Sequence, residues 1–259
     1  MNNLSGMLWI EFRKAGRSRM PLFTAVGCLF LPLGIAFLIF VATHPEVTRK
    51  LGLVSAKANL MSYATTDWSA YLGLTAQMIA AGGFFLFCLI LCWVFGREFV
   101  DGALKDLLAV PVPRASILLA KFLVAAAWSA ALGALIALAS LVTGALIGLP
   151  EGSMDVLLQG AILVAGTTCL VIAVVMPFAL FASVGRGYLL PIGMAILALI
   201  MANLVVVMGW GEYFPWAVPG LFAQGKGYLS PISYAIAILT GLAGMIGTYL
   251  WWKHADQNR

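Results

Sequence analysis

Arg97-Glu98-Phe99-Val100-Asp101-Gly102-Ala103-Leu104-Lys105-Asp106-Leu107-Leu108-Ala109-Val110-Pro111-Val112-Pro113-Arg114 is a charged, amphipathic interruption in an otherwise apolar sequence. It separates the apolar runs 72–95 and 117–148. About 20 residues at about 1.5 Å rise cross a hydrocarbon core of roughly 30 Å, so each run is long enough to span a bilayer. The stretch therefore reads as a turn between two membrane helices.

The rest of the chain repeats this pattern. Further apolar runs cover residues 21–42, 156–183, 189–208 and 232–252, which makes six expected crossings. A chain 63% hydrophobic and 10% charged has the composition of an integral membrane protein. The fold class expected is all-α, with residues 1–259 forming a single transmembrane domain. The 117–148 run exceeds the length needed and is expected to tilt or to project from the membrane near Lys121.

Residues 1–19 place Leu4, Leu8 and Phe12 on one helical face, with Met7 beside them and Arg13, Lys14, Arg17 and Arg19 following. This predicts an interfacial helix whose basic end faces anionic headgroups. A signal peptide is the rival reading, but the following apolar run is too long and no small-x-small cleavage site follows it. An even number of crossings puts both termini on one side. Eleven of the fifteen Lys and Arg fall with the termini, the insert region and the 184–188 turn, so that side is expected to be cytoplasmic.

In the outer loop 43–71, Val47, Leu51, Val54, Ala58 and Met61 recur at helical spacing and predict a surface helix. Before the sixth run, Trp210, Tyr213, Phe214 and Trp216 cluster with Pro215 and Pro219, which fits either a re-entrant segment or an anchoring loop. Small residues form a stripe at Ser129, Gly133, Ala137, Ser140, Gly144 and Gly148, and another at Ala237, Gly241, Gly244 and Thr248. Such stripes let helix backbones approach closely.

Several chemistries lack their residues. No ionisable group lies at mid-membrane depth, so ion-coupled transport has nothing to act on. Gln77, Gln159 and Asn203 are read as interhelical hydrogen-bonding residues. The only histidines, His44 and His254, lie in loops, which disfavours a zinc site or a Ser-His protease. Asp101-Gly102 matches the start of a phospho-alcohol transferase motif, but the further aspartates are absent. Cys28, Cys88, Cys92 and Cys169 sit in apolar runs as packing residues, and no metal-ligating pattern occurs. No phosphate loop is present, so any ATP must be hydrolysed by another chain.

Arg97-Glu98, Gly102, Leu107-Leu108, Pro111, Arg114 and Lys121 together resemble the loop between helices two and three of ABC-2 type transporter permeases. The six-helix layout and the aromatic segment before helix six resemble that family too, most nearly its bacitracin and lantibiotic export or immunity members. Ala103 departs from the Thr that many members carry, which removes a hydroxyl cap. The resemblance implies that the insert is a cytoplasmic coupling helix docking on an ABC ATPase subunit, with Glu98, Asp101, Gly102, Lys105, Asp106, Leu107, Leu108 and Arg114 taking part.

Asp101 to Val110 can form a short helix with Leu104, Leu107 and Leu108 on one side, ended by Pro111, with Pro113 suited to the first turn of the next helix. On physical grounds alone, a helix resting its leucines in lipid fits equally well. A carboxylate at Glu98 opposes the negative pole of the second helix and is expected to pair with Arg97, Arg114 or a basic residue of the ATPase. Glu98→Ala is accordingly expected to leave folding intact while slowing ATP hydrolysis.

The functional expectation is a permease of an ATP-driven exporter in a bacterial cytoplasmic (inner) membrane, linked to antibiotic resistance. No cofactor is bound by this chain, ATP and Mg being held by the partner ATPase, and no nucleic acid is involved. A second permease, as homodimer or heterodimer, and the lipid bilayer complete the assembly. The substrate is hydrophobic or amphipathic, such as a peptide antibiotic, drug or lipid. The alternative is a non-transporting scaffold or immunity protein that binds a partner through the insert.

Overall fold

A computed structural model describes residues 3–43, 67–103, 111–225 and 229–254. The outer-loop helix expected from Val47 to Met61 lies outside them, as do Leu104–Val110 of the insert. Every regular element among the described residues is helical.

Helix α1 (Asn3–Arg17) precedes the first long helix, α2 (Met20–Thr43). Ser18 makes the elbow between them. Its hydroxyl donates to the Ala15 carbonyl at 2.8 Å and accepts from the Met20 N–H at 3.3 Å. The second crossing is composite: α3 (Trp68–Met78), a π-helical turn at Ile79–Gly83, and α4 (Phe84–Val100). Then follow α5 (Arg114–Ile147), α6 (Met154–Val175), α7 (Phe178–Val184), α8 (Leu189–Val207), the short α9 (Val218–Ala223) and α10 (Pro231–His254).

Six stretches are long and apolar enough to cross a membrane: Met20–Ala42, Trp68–Val100, Arg114–Ile147, Met154–Val184, Leu189–Val207 and Pro231–His254. They are the six apolar runs of the sequence, with edges shifted for local reasons. The second starts earlier because Asp67 caps α3, accepting from the Ala70 N–H at 2.7 Å. It ends later because the charges of its last turn are neutralised, as described below. The fourth bends at Pro177, which cannot supply the N–H that an unbroken helix needs.

The α3–α4 crossing runs through the centre. Phe84, Phe87, Ile90, Leu91 and Phe95 are buried in the main core with Val171, Val174 and Phe178 of α6 and α7. At the end away from the insert, Tyr71 joins three helices: its hydroxyl lies 2.6 Å from Thr143 Oγ1 and 3.4 Å from the Pro32 carbonyl oxygen. Pairing these groups offsets the cost of keeping them away from water.

Glycines set the closest approaches. At Gly241 a Cβ would stand 2.6 Å from the Ala173 carbonyl oxygen, and at Gly244 it would stand 2.5 Å from Pro177 Cα. Gly144 accepts the ring of Trp68, and Gly133 the side chain of Thr168. Gly148 has another role than the expected stripe position. Its Cβ direction is open, and its φ of 72° ends α5 in the left-handed conformation that glycine adopts without strain.

The aromatic segment folds inward. Trp216 donates to the Val174 carbonyl oxygen at 3.0 Å, and α9 packs on α3 and α6 with Val218 and Ala223 buried. Gln77 and Gln159 are exposed and hydrogen-bond no other helix among the described residues, while Asn203 donates to Leu199 of its own helix. Among the side-chain bonds that do link helices are those of Tyr71, Trp128 and Trp252. Cys88 and Cys92 are buried packing residues with sulfurs 3.7 Å apart, whereas Cys169 is exposed.

Candidate functional site

The base of the insert is held by a compact group of charges. Glu98, in the last turn of α4, accepts from Lys14 Nζ of α1 and from Lys121 Nζ of α5, each at 2.9 Å. Glu11 of α1 lies 3.4 Å from Lys14 and 3.2 Å from Lys121. Lys121 also donates to the Val94 carbonyl oxygen at 3.0 Å. Two carboxylates and two ammonium groups make the quartet neutral. That neutrality allows Lys121 to be 0% exposed and Glu98 4% exposed without a net buried charge.

These positions correct several expectations. Glu98 pairs with Lys14 and Lys121, not with Arg97 or Arg114. Arg97 instead pairs with Asp101 at 3.1 Å and stacks over the Trp93 ring. Lys121 does not project from the bundle, since α1 lies along α5 and covers it. Because Glu98 is a buried partner of two cations, Glu98→Ala would not leave folding untouched: Lys121 would keep only Glu11 for compensation.

Helix α1 is also oriented differently from its predicted apolar face. Met7, Glu11 and Ala15 face the bundle, with Leu4 and Leu8 partly buried, while Trp9, Ile10 and Phe12 face outward. Lys14 turns in toward the quartet, whereas the Arg13 guanidinium is on the outer side and sits over the Trp9 ring at 4.7 Å. Glu11 was the member hardest to find in sequence, yet a signal existed. It stands between Met7, Leu8 and Ala15 on a packed face, and Lys121 stands four residues from the buried Ile117. A lone charge on an apolar stripe calls for an opposite charge on the helix that covers it.

Burial opposes the charge on the Lys14 ammonium, but the Glu11 and Glu98 carboxylates outweigh it and raise its pKa above the usual 10.5. A cation whose folded pKa is raised stabilises the fold fully below its unfolded pKa and loses that contribution as pH climbs through the folded value. The docking of α1 is therefore expected to hold up to pH 10.5 and to weaken beyond it. Amide exchange in residues 3–17 as pH is raised checks this, and Lys14→Met should remove much of the pH dependence.

The limbs of the insert are tied to the last helix as well. Phe99 packs edge-on against Trp251 and Trp252 of α10, at 6.1 and 6.0 Å between ring centroids. On the returning limb, Arg114 donates to the Trp252 carbonyl oxygen at 2.6 Å and to that of Lys253 at 3.3 Å. It thereby donates to carbonyls in the last described turn of α10. Val112 packs beside Met7 and Ile117.

Asp101 closes α4 and does not begin a new helix: its N–H donates to the Arg97 carbonyl at 2.8 Å, and Gly102 follows with φ 69°. The expected helix from Asp101 therefore cannot include its first two residues. Lys105, Asp106, Leu107 and Leu108 lie outside the described residues.

The sequence profile of the ABC-2 family transporter proteins matches residues 7–203, from α1 through most of α8. The chain belongs to this family. It is the permease component of an ABC-2 type transporter, and permeases of this kind lack the ATPase site. Family membership implies association with an ATPase subunit. The permease is similar to a bacitracin transport permease protein of Bacillus licheniformis, 27% identical over 177 residues that cover 66% of this chain and 84% of that protein. No solved structure matches it.

At the other end of the bundle, the permease has a cavity of about 200 Å³ between α3, α8 and α9. Gln77, Asn203 and Gln224 give it polar groups, and Ala80 and Ala81 of the π-helical turn form part of its wall. π-Helical turns occur frequently at functional sites.

Proposed function

We propose that this permease, with a second copy or a related permease and with ATPase subunits, forms an exporter in a bacterial cytoplasmic membrane. The 97–114 insert is its point of energy input. Residues 1–259 act as one transmembrane unit, with α1 lying along the membrane surface and both termini in the cytoplasm. The observation that carries this reading is the double anchorage of the insert. Glu98 ties its outgoing limb to α1 and α5, while Phe99 and Arg114 tie its two limbs to α10. A partner that moves Leu104, Leu107 and Leu108 would thus pull on three helices together.

Asp101, Gly102, Lys105 and Asp106 belong to the docking segment. Glu98 and Arg114 act as positioning residues behind it. The substrate is hydrophobic or amphipathic, with a peptide antibiotic the first candidate because the similar Bacillus protein is a bacitracin transport permease. The apolar lining and three amides of the 200 Å³ cavity suit part of such a molecule.

Leu107→Asp/Leu108→Asp in the reconstituted complex tests the docking. Loss of ATPase co-purification and of substrate-stimulated hydrolysis is expected, with the permease itself folded. Wild-type co-purification and hydrolysis would overturn the coupling role.

A further inference from the structure

A cleft of about 530 Å³ opens beside the quartet, between the α1–α2 elbow and α4. Lys14, Arg17, Arg19 and Arg97 line it, and Asp101 is the one acid among its walls. Lys14 and Arg97 are already paired, with Glu98 and Asp101 respectively. Arg17 and Arg19 are exposed and have no ion pair among the described residues.

We infer that this cleft binds a phosphate group, carried by an anionic phospholipid headgroup or by a free phosphate. Two unpaired guanidiniums offer forked donors that match phosphate oxygens. The rim fits the lipid source. Phe23 lines the cleft while remaining 64% exposed, and Leu22, Val26 and Phe30 continue an exposed apolar face along α2 on which acyl chains can lie. The lipid source rests on the proposed placement of α1 along the membrane surface. The phosphate chemistry of the cleft does not.

The test titrates the purified full-length permease in detergent, following its thermal unfolding. The ligands are micelles containing phosphatidylglycerol, micelles containing phosphatidylcholine, and inorganic phosphate. Phosphatidylglycerol is expected to stabilise the wild type where phosphatidylcholine does not. Arg17→Gln/Arg19→Gln should need roughly tenfold more of it, the loss expected for removing charge-assisted bonds to phosphate. Arg13→Gln, on the outer side of α1, should behave as the wild type. Stabilisation by phosphatidylglycerol alone assigns the lipid headgroup, and an equal effect of inorganic phosphate assigns a free phosphate. If the double variant does not fold, Arg19→Gln alone is read by the same criterion. An unchanged titration in the arginine variants, or an equal loss in Arg13→Gln, would overturn the site.

Discussion

Lys121→Met is expected to destabilise the permease by about 3–5 kcal/mol, the usual consequence of removing one partner from a buried ion pair. Methionine fills much of the same volume, so packing changes little and the effect is electrostatic. What remains is Glu11 and Glu98, both buried, facing only Lys14, which is itself part-exposed. The Val94 carbonyl oxygen loses its side-chain donor as well.

Thermal unfolding of the purified protein measures the total loss. Protease susceptibility of α1 shows where it begins, since α1 is held by this quartet and by the small cluster around Met7. Glu98→Gln/Lys121→Met, which restores charge balance, should recover more than half of the loss. The double-mutant cycle then separates the pairwise coupling from packing. An unfolding curve for Lys121→Met that overlays the wild type would show that the quartet contributes nothing.

Gly244→Val is expected to cost at least about 1–3 kcal/mol, the range for overpacking a filled interior. A Cβ there meets the backbone of Pro177 at 2.5 Å from Cα and 2.6 Å from N, and backbone cannot swing aside as a side chain can. Helix α10 must therefore shift away from the α6–α7 bend. That shift would strain the bond between Trp252 Nε1 and Ser183 Oγ, now 2.9 Å, and carry the carbonyls that Arg114 holds.

The coupling reading makes the consequence specific: substrate-stimulated ATP hydrolysis should fall in Gly244→Val even though the substitution is remote from the insert. Gly34→Ala, where a Cβ has open space, is the matched control and should unfold as the wild type does. Equal stability of the Gly244 variant and this control would remove the close α10–α7 contact from the account.

The six candidate spans were legible in the sequence because apolar length is a local property. Residues 189–208 need no neighbour to declare themselves, and the structure places α8 at Leu189–Val207. Gly241 and Gly244 were legible as a small stripe, since spacing along one helix puts them on one face. The insert was legible as a polar break. That Lys14 pairs with Glu98 was not, because the two lie 84 residues apart and only the packing of α1 on α5 brings Lys14 to the end of α4. Gly148 misled for a related reason: stripe spacing and helix termination both call for glycine, and its φ of 72° distinguishes them.

By itself, the sequence determined that this chain is a helical membrane protein with six stretches long and apolar enough to cross a membrane and a charged insert after the second. Those features follow from runs of transfer free energy that each segment carries alone. Tertiary structure decided that Glu98 is buried between Lys14 and Lys121. It decided equally that Lys121 points into the bundle and that Arg114 closes the end of α10. A charge in an apolar environment is tolerable only beside its opposite, and which opposite it meets depends on how distant helices pack.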